Sequence, residues 1–169
     1  DMQISKILVP IDFSRHSLKA LDYAIDFAEP FGAEVVVLHV VEPVAYATPA
    51  DLYAGMATQL GNLLAEQRRS SREQLDALVA KYANSGVQLR TQLRDGVAYS
   101  EIVDNAQKLK ASLIIQSTHG RTGLAHVLLG SVAERVVRTA ECPVLTIRTT
   151  GRAAAKRAAP KKKRAAAKK

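Results

Sequence analysis

The sequence predicts an α/β fold, an open five-stranded parallel sheet with helices on both faces and a Rossmann-like plan. Two observations carry it. Short apolar, β-branched runs alternate along the chain with segments of helical period. The run from Ala33 to Val41, AEVVVLHVV, is continuously apolar, as in a strand covered on both faces. Repeated β-α units of this kind build a parallel sheet through right-handed crossovers.

KILVPI, Lys6 to Ile11, is the first strand, followed by Asp12 and by Ser14 in a helix N-cap position. Leu18, Leu21, Ala24, Ile25 and Ala28 then recur at helical spacing until Pro30 and Gly32 stop the helix. The second strand is Ala33 to Val41. Pro43 to about Ala50 reads as irregular. A long helix follows, with Leu60, Leu63, Leu64, Leu75, Leu78 and Tyr82 on its inner side, ending near Asn84-Ser85-Gly86. Val87 to Leu93 alternates as a strand, with Asp95-Gly96 as its turn. Tyr99 to Leu109 is a short amphipathic helix through Ile102, Val103 and Ala106. Leu113 to Gln116 is the fourth strand, Ser131 to Ala140 the last helix and Val144 to Arg148 the last strand.

In such a sheet, ligands bind beyond the carboxyl ends of the strands, where strand order reverses. The ends to inspect are therefore Asp12, Val40-Val41 and Ser117 to Gly120. Asp12 is either a turn residue before the helix or a carboxylate accepting from a ribose hydroxyl or an adenine amino group. The segment STHGRTGLAHVLLGS, residues 117–131, sets glycines between a strand and a helix, where glycine is costly unless the backbone turns sharply or approaches something closely. It is neither a Walker A loop nor a Gly-x-Gly-x-x-Gly fingerprint. It places Gly130-Ser131 at a helix start, where free amides and the positive end of the dipole form an anion site. Ser131 either meets a phosphate oxygen or caps its own helix, and Arg121 either covers the phosphates or points to solvent.

At these residues the sequence resembles the universal stress protein family. ILVPIDFS near the start, VVVLHVVEP in the second strand and STHGRTGLAHVLLGSVAERVVRTAECPVLTIR carry the likeness, which runs from about Lys6 to Arg148. ATP-binding members of that family show Gly, two residues, Gly, nine residues, Gly, then Ser or Thr. Gly120, Gly130 and Ser131 match that pattern, while Ser117 stands where the first glycine is expected. The resemblance implies ATP as ligand, with a divalent ion, Mg²⁺ or Mn²⁺, bridging its phosphates; some relatives prefer cyclic AMP. It implies that Pro10 and Ile11 line the base pocket, that Asp12 meets the ribose or adenine, and that the Val41 backbone bonds the adenine edge. Gly120, Arg121, Gly130, Ser131 and Val132 would hold the phosphates. His119, read from its place beside the loop glycine, either contacts the nucleotide or stabilises the loop. The resemblance further implies a homodimer paired along Val144 to Arg148 and a nucleotide-binding regulator rather than an enzyme. A dimeric interaction module that binds no nucleotide is the alternative.

The histidines fit this reading. His39 lies inside an apolar strand as a satisfied core or edge residue, and His16 and His126 have no partner at ligand spacing. No paired-cysteine, His-Glu-x-x-His or nucleophile-elbow pattern occurs. Cys142, the single cysteine, precludes an internal disulfide and suits a reducing cytoplasm, which is the expected location. The opening residues lack the apolar core of a signal peptide, and no apolar run approaches the ~18–20 residues of a membrane span.

The formal net charge of +8 is not spread evenly. Residues 151–169, GRAAAKRAAPKKKRAAAKK, hold nine Lys or Arg and no acid, leaving 15 basic against 16 acidic residues in 1–150. The expected organisation is a domain over 1–150 and a Lys/Ala-rich tail, too poor in apolar residues to fold alone. Such a tail is either a solubility feature or a site for nucleic acid or another polyanion.

Overall fold

The computed structural model describes residues 3–43, 50–119 and 129–148. Their elements run β1 (Lys6–Ile11), α1 (Arg15–Ala28), β2 (Glu34–Val41), α2 (Ala50–Tyr82), β3 (Leu89–Asp95), α3 (Ala98–Leu109), β4 (Leu113–Ser117), α4 (Ser131–Thr139) and β5 (Val144–Ile147). The five strands form one sheet in the order β3-β2-β1-β4-β5, every neighbouring pair parallel. From β1 the chain builds outward through β2 to β3, then crosses back to lay β4 on the other side of β1. Strand order therefore reverses between β1 and β4.

The sheet is coated on both faces. On one side Ile7, Val9, Val35, Val37 and Ile115 pack against Leu21, Ala24 and Ile25 of α1 and Leu75 and Leu78 of α2. On the other, Leu8, Val36, Leu38 and Ile114 pack against Ile102 and Ala106 of α3 and Val136 of α4. This two-sided coverage is why the central strands are apolar without alternation.

Local chemistry sets the ends. Ser14 caps α1, its side chain accepting the Ser17 N–H at 3.2 Å. A 3₁₀ turn over Glu29–Phe31 follows α1 and ends on Gly32, whose φ of 59° is left-handed. The third strand lies two residues later than the alternation predicts, because its pairing with β2 runs on to Val41 opposite Asp95. Leu63, expected on the inner side of α2, is 55% exposed. The reason is length: the 33 residues of α2 span about 50 Å at 1.5 Å each, roughly twice the reach of an eight-residue strand. Among the described residues, α2 adds Leu75 and Leu78 to the core under the sheet, while Leu63 lies nearer its other end. Among the described residues, no helix is long and apolar enough to cross a membrane.

Candidate functional site

A cleft of about 510 Å³ opens at the carboxyl ends of the strands, where β1 and β4 diverge. That volume is within the range of small-molecule sites, about 300–1,000 Å³. Its walls come from the end of β1 (Pro10, Ile11, Asp12), the end of β4 (Ser117, Thr118, His119) and the first turn of α4 (Gly130, Ser131, Val132).

The β1 wall is held by short-range hydrogen bonds. Asp12 Oδ1 accepts the Ser14 N–H at 3.0 Å, and the Asp12 N–H donates to Ser17 Oγ at 3.3 Å. Asp12 thus shapes the turn into α1 while remaining on the cleft wall. Phe13 takes up the turn with a φ of 61°, in a region costly for a side chain of its size. Its ring lies 4.4 Å from that of His39, whose Nδ1 is 2.8 Å from the Ile11 carbonyl oxygen. His39 is buried, so the satisfied core histidine expected from the sequence is what the structure contains, and it also lines the cleft.

The β4 wall fixes the start of α4. The Gly130 N–H donates to the Thr118 carbonyl at 2.7 Å, and buried Gln116 donates from Nε2 to the Ala133 carbonyl at 3.0 Å. These two bonds lock the helix start against the strand end. A Cβ on Gly130 would sit 3.3 Å from the Thr118 oxygen and 4.0 Å from His119 Cα. Glycine is needed there for space, since its φ of −67° is one that any residue adopts. As N-cap, Gly130 supplies no side-chain hydrogen bond to the first amides of α4. The α4 dipole directs partial positive charge at the same place.

Ser117 ends β4, and its hydroxyl donates to the His119 carbonyl at 2.7 Å. Among the described residues, a non-glycine positive φ is confined to Phe13 and Lys110, so serine at 117 meets no backbone strain. Thr118 Oγ1 and His119 Nδ1 are 2.9 Å apart, and the His119 ring lies 6.2 Å from that of His16. Sequence spacing offered His16 no partner; the sheet topology brings one to it.

Of the expected site residues, Pro10, Ile11, Asp12, Ser117, His119, Gly130, Ser131 and Val132 share the cleft. Val41 is not part of the cleft wall: it is fully buried, its carbonyl accepting the Gly96 N–H at 3.1 Å, and its neighbours Val40 and Glu42 line the wall instead. Gly120, Arg121 and His126 lie outside the described residues. Four polar lining residues went unread in the sequence, Ser17, Gln116, Glu42 and Gln67. Glu42 Oε1 accepts the Ala98 N–H at 2.9 Å, capping α3, and Gln67 reaches the cleft from α2. Gln67 carries no local signal, because only the path of a long helix takes it there. Among the described residues, no group of three or more His, Cys, Asp or Glu could hold a metal ion.

An open parallel sheet whose cleft lies at the reversal of strand order defines a doubly wound α/β domain. The chain belongs to the universal stress protein family, whose family model matches residues 3–148. It is 39% identical over 144 residues to universal stress protein MJ0531 of Methanocaldococcus jannaschii, covering 85% of this chain and 81% of that protein. The solved structure of protein MJ0577 of the same archaeon superposes with a TM-score of 0.76 at 25% identity, over 89% of this chain and 99% of that one. Two more distant proteins share the fold. A universal stress protein solved in complex with cAMP has a TM-score of 0.57 at 22% identity, over 88% of this chain and 99% of that one. The universal stress protein from Archaeoglobus fulgidus in complex with dAMP has a TM-score of 0.60 at 21% identity, over 86% and 98%.

Proposed function

We propose that the cleft binds an adenine nucleotide, ATP with Mg²⁺ or Mn²⁺, and that its occupancy makes the domain a nucleotide-dependent regulator in stress physiology rather than an enzyme. The observation that carries this reading is the meeting of Asp12 with the Gly130–Val132 helix start across one cleft. A carboxylate suits ribose or adenine donors, and a helix start whose cap has no side chain suits phosphate oxygens. The bare Cα of Gly130 fits this use, because it lets the helix start close on the β4 end.

In this reading the base lies against Pro10 and Ile11, its edge toward the backbone around Val41. Ser117 and His119 flank the ribose and phosphates, Gly120 and Arg121 cover the phosphates, and Ser131 adds a hydroxyl. The metal ion would be held chiefly by the phosphates. The complexes of fold relatives with cAMP and dAMP support an adenine nucleotide as the ligand class. A cytoplasmic setting would supply both ATP and a reducing environment for Cys142.

The same reading has two copies joined along β5. That strand is the sheet edge, and its Leu145 is 38% exposed. An edge strand with unpaired backbone groups and an apolar side chain favours pairing with a second copy.

The test is mass spectrometry of small molecules released from freshly purified, denatured protein, with thermal unfolding followed as Mg·ATP is added. Released adenine nucleotide and a rise in melting temperature are expected. An unchanged melting temperature at millimolar Mg·ATP would leave the domain as an interaction module without nucleotide.

A further inference from the structure

We propose, on the reading of the cleft as a nucleotide site, that Glu42 decides which base it accepts. The Glu42 carboxylate selects a purine with an amino group at position 6 over one with an oxo group there.

Two helices open onto the cleft side by side. α3 begins at Ala98 and α4 at Ser131, and both residues line the wall. Each helix start carries free amides and partial positive charge, so each draws anions. Neither N-cap residue, Val97 or Gly130, bonds its own helix through a side chain. Glu42 makes the two starts different. Its Oε1 accepts the Ala98 N–H at 2.9 Å, so the α3 start already holds a carboxylate of this chain. A phosphate at α3 would sit against that like charge. Phosphates are thereby turned toward α4, and Glu42 marks the opposite end of the cleft.

Register places that end. Ile11 pairs with His39, so Glu42 stands three residues above the end of β1, a rise of about 10 Å in extended chain. β2 and β4 flank β1, which puts their ends two strand spacings apart, also about 10 Å. A nucleotide with its phosphates at Gly130 therefore reaches past Asp12 to the β2 side. Val40, Glu42, Gln67, Ala98 and Ile102 line the cleft there.

Hydrogen-bonding capacity picks the base. Val40, Ala98 and Ile102 offer apolar surface to any purine ring. The Gln67 amide both donates and accepts, so it suits either pattern, whereas a carboxylate only accepts. Among the described residues, Glu42 Oε2 has no hydrogen-bond or ion-pair partner. It takes an N–H from a 6-amino group. A 6-oxo group would set two acceptors against each other and leave both unpaired, the mismatch by which polar sites discriminate most sharply.

The test is calorimetric titration of the full chain with Mg·ATP and with Mg·ITP, which carries the 6-oxo group, with thermal unfolding of each variant alongside. The parent should bind ATP at least ~10-fold more tightly than ITP, as expected for one hydrogen bond to a charged group. Glu42→Gln keeps an acceptor for the Ala98 N–H and adds a donor. It should hold the melting temperature of the parent and narrow the preference to within about threefold. Glu42→Ala should lose the preference as well, with a lower melting temperature because the cap on α3 is gone. A parent that binds both nucleotides equally or prefers ITP would overturn the proposal and leave the nucleotide reading standing. So would a Glu42→Gln variant that keeps the full preference, even if Glu42→Ala loses it, since Glu42 would then act through the cap alone. A parent that binds neither nucleotide would overturn the nucleotide reading itself, and this proposal with it.

Discussion

The Gly130 N–H donates to the Thr118 carbonyl at 2.7 Å, and a Cβ on Gly130 would come within 3.3 Å of that same oxygen. One contact both sets the start of α4 and forbids a side chain there. Gly130→Ala should force the strand end and helix start apart, at a cost of about 1 kcal/mol in stability, the low end for overpacking. Because the displaced amides are those assigned to phosphate, Mg·ATP affinity should fall about tenfold, equivalent to 1.4 kcal/mol. Thermal unfolding and calorimetric titration measure the two effects separately.

Asp12 has two tasks that substitution separates. Its Oδ1 accepts the Ser14 N–H, a role that an asparagine carbonyl keeps, whereas its negative charge faces the cleft. Asp12→Asn should leave stability within about 0.5 kcal/mol yet weaken nucleotide binding about tenfold, as expected for a lost charge-assisted hydrogen bond. Asp12→Ala should lower both, and the difference between the variants reports the turn alone.

How much of this was legible in the sequence depends on range. Ser14 as cap, Gly32 as stop and the unbroken apolarity of Val35 to Leu38 are local signals, and each element they define is where the residues place it. The order β3-β2-β1-β4-β5 is a long-range outcome that no local period encodes. The errors have the same origin. Leu63 follows helical spacing but lies where α2 outruns the sheet, and β3 is set by its register with β2 rather than by alternation. At the site, Asp12 and Gly130 were visible as irregularities at strand and helix ends. Gln67 was not, since only the path of α2 brings it to the cleft, whereas Glu42 adjoins a strand end that the sequence already marked.

Tyr82 donates to Asp22 and accepts from Lys81 Nζ at 2.9 Å, clipping the end of α2 to α1. Burial, then the bond to Asp22, pushes the Tyr82 hydroxyl above its ordinary pKa, and the bond from Lys81 to Tyr82 raises that ammonium. Both groups therefore hold their protons more tightly when folded. Their stabilisation is complete below the unfolded pKa values near 10 and is lost as pH rises through the folded ones. Tyr82→Phe should cost about 1 kcal/mol at pH 7. It should also flatten the loss of stability above about pH 10, as measured by denaturant unfolding across pH.

Burial likewise raises the Cys142 thiol. Thiolate is the reactive form, so alkylation of the folded protein at pH 7.5 should run slower than that of a free thiol. Unfolding in urea should abolish the difference.

Leu145 on the edge strand β5 tests the dimer. Leu145→Lys places a charge on the open edge, the device by which sheets resist edge-to-edge pairing. Sedimentation velocity should show the parent as a dimer and the variant as a monomer with an unchanged melting temperature.

Amide NMR during titration with Mg·ATP tests the central claim most directly. The account predicts saturable shifts at Asp12, Ser117, Gly130, Ser131 and Val132, with little change at Gln107 and Cys142, which line a separate cavity with Val103, Lys110 and Glu141. No shifts at millimolar nucleotide, or shifts centred on Gln107 and Cys142, would contradict it.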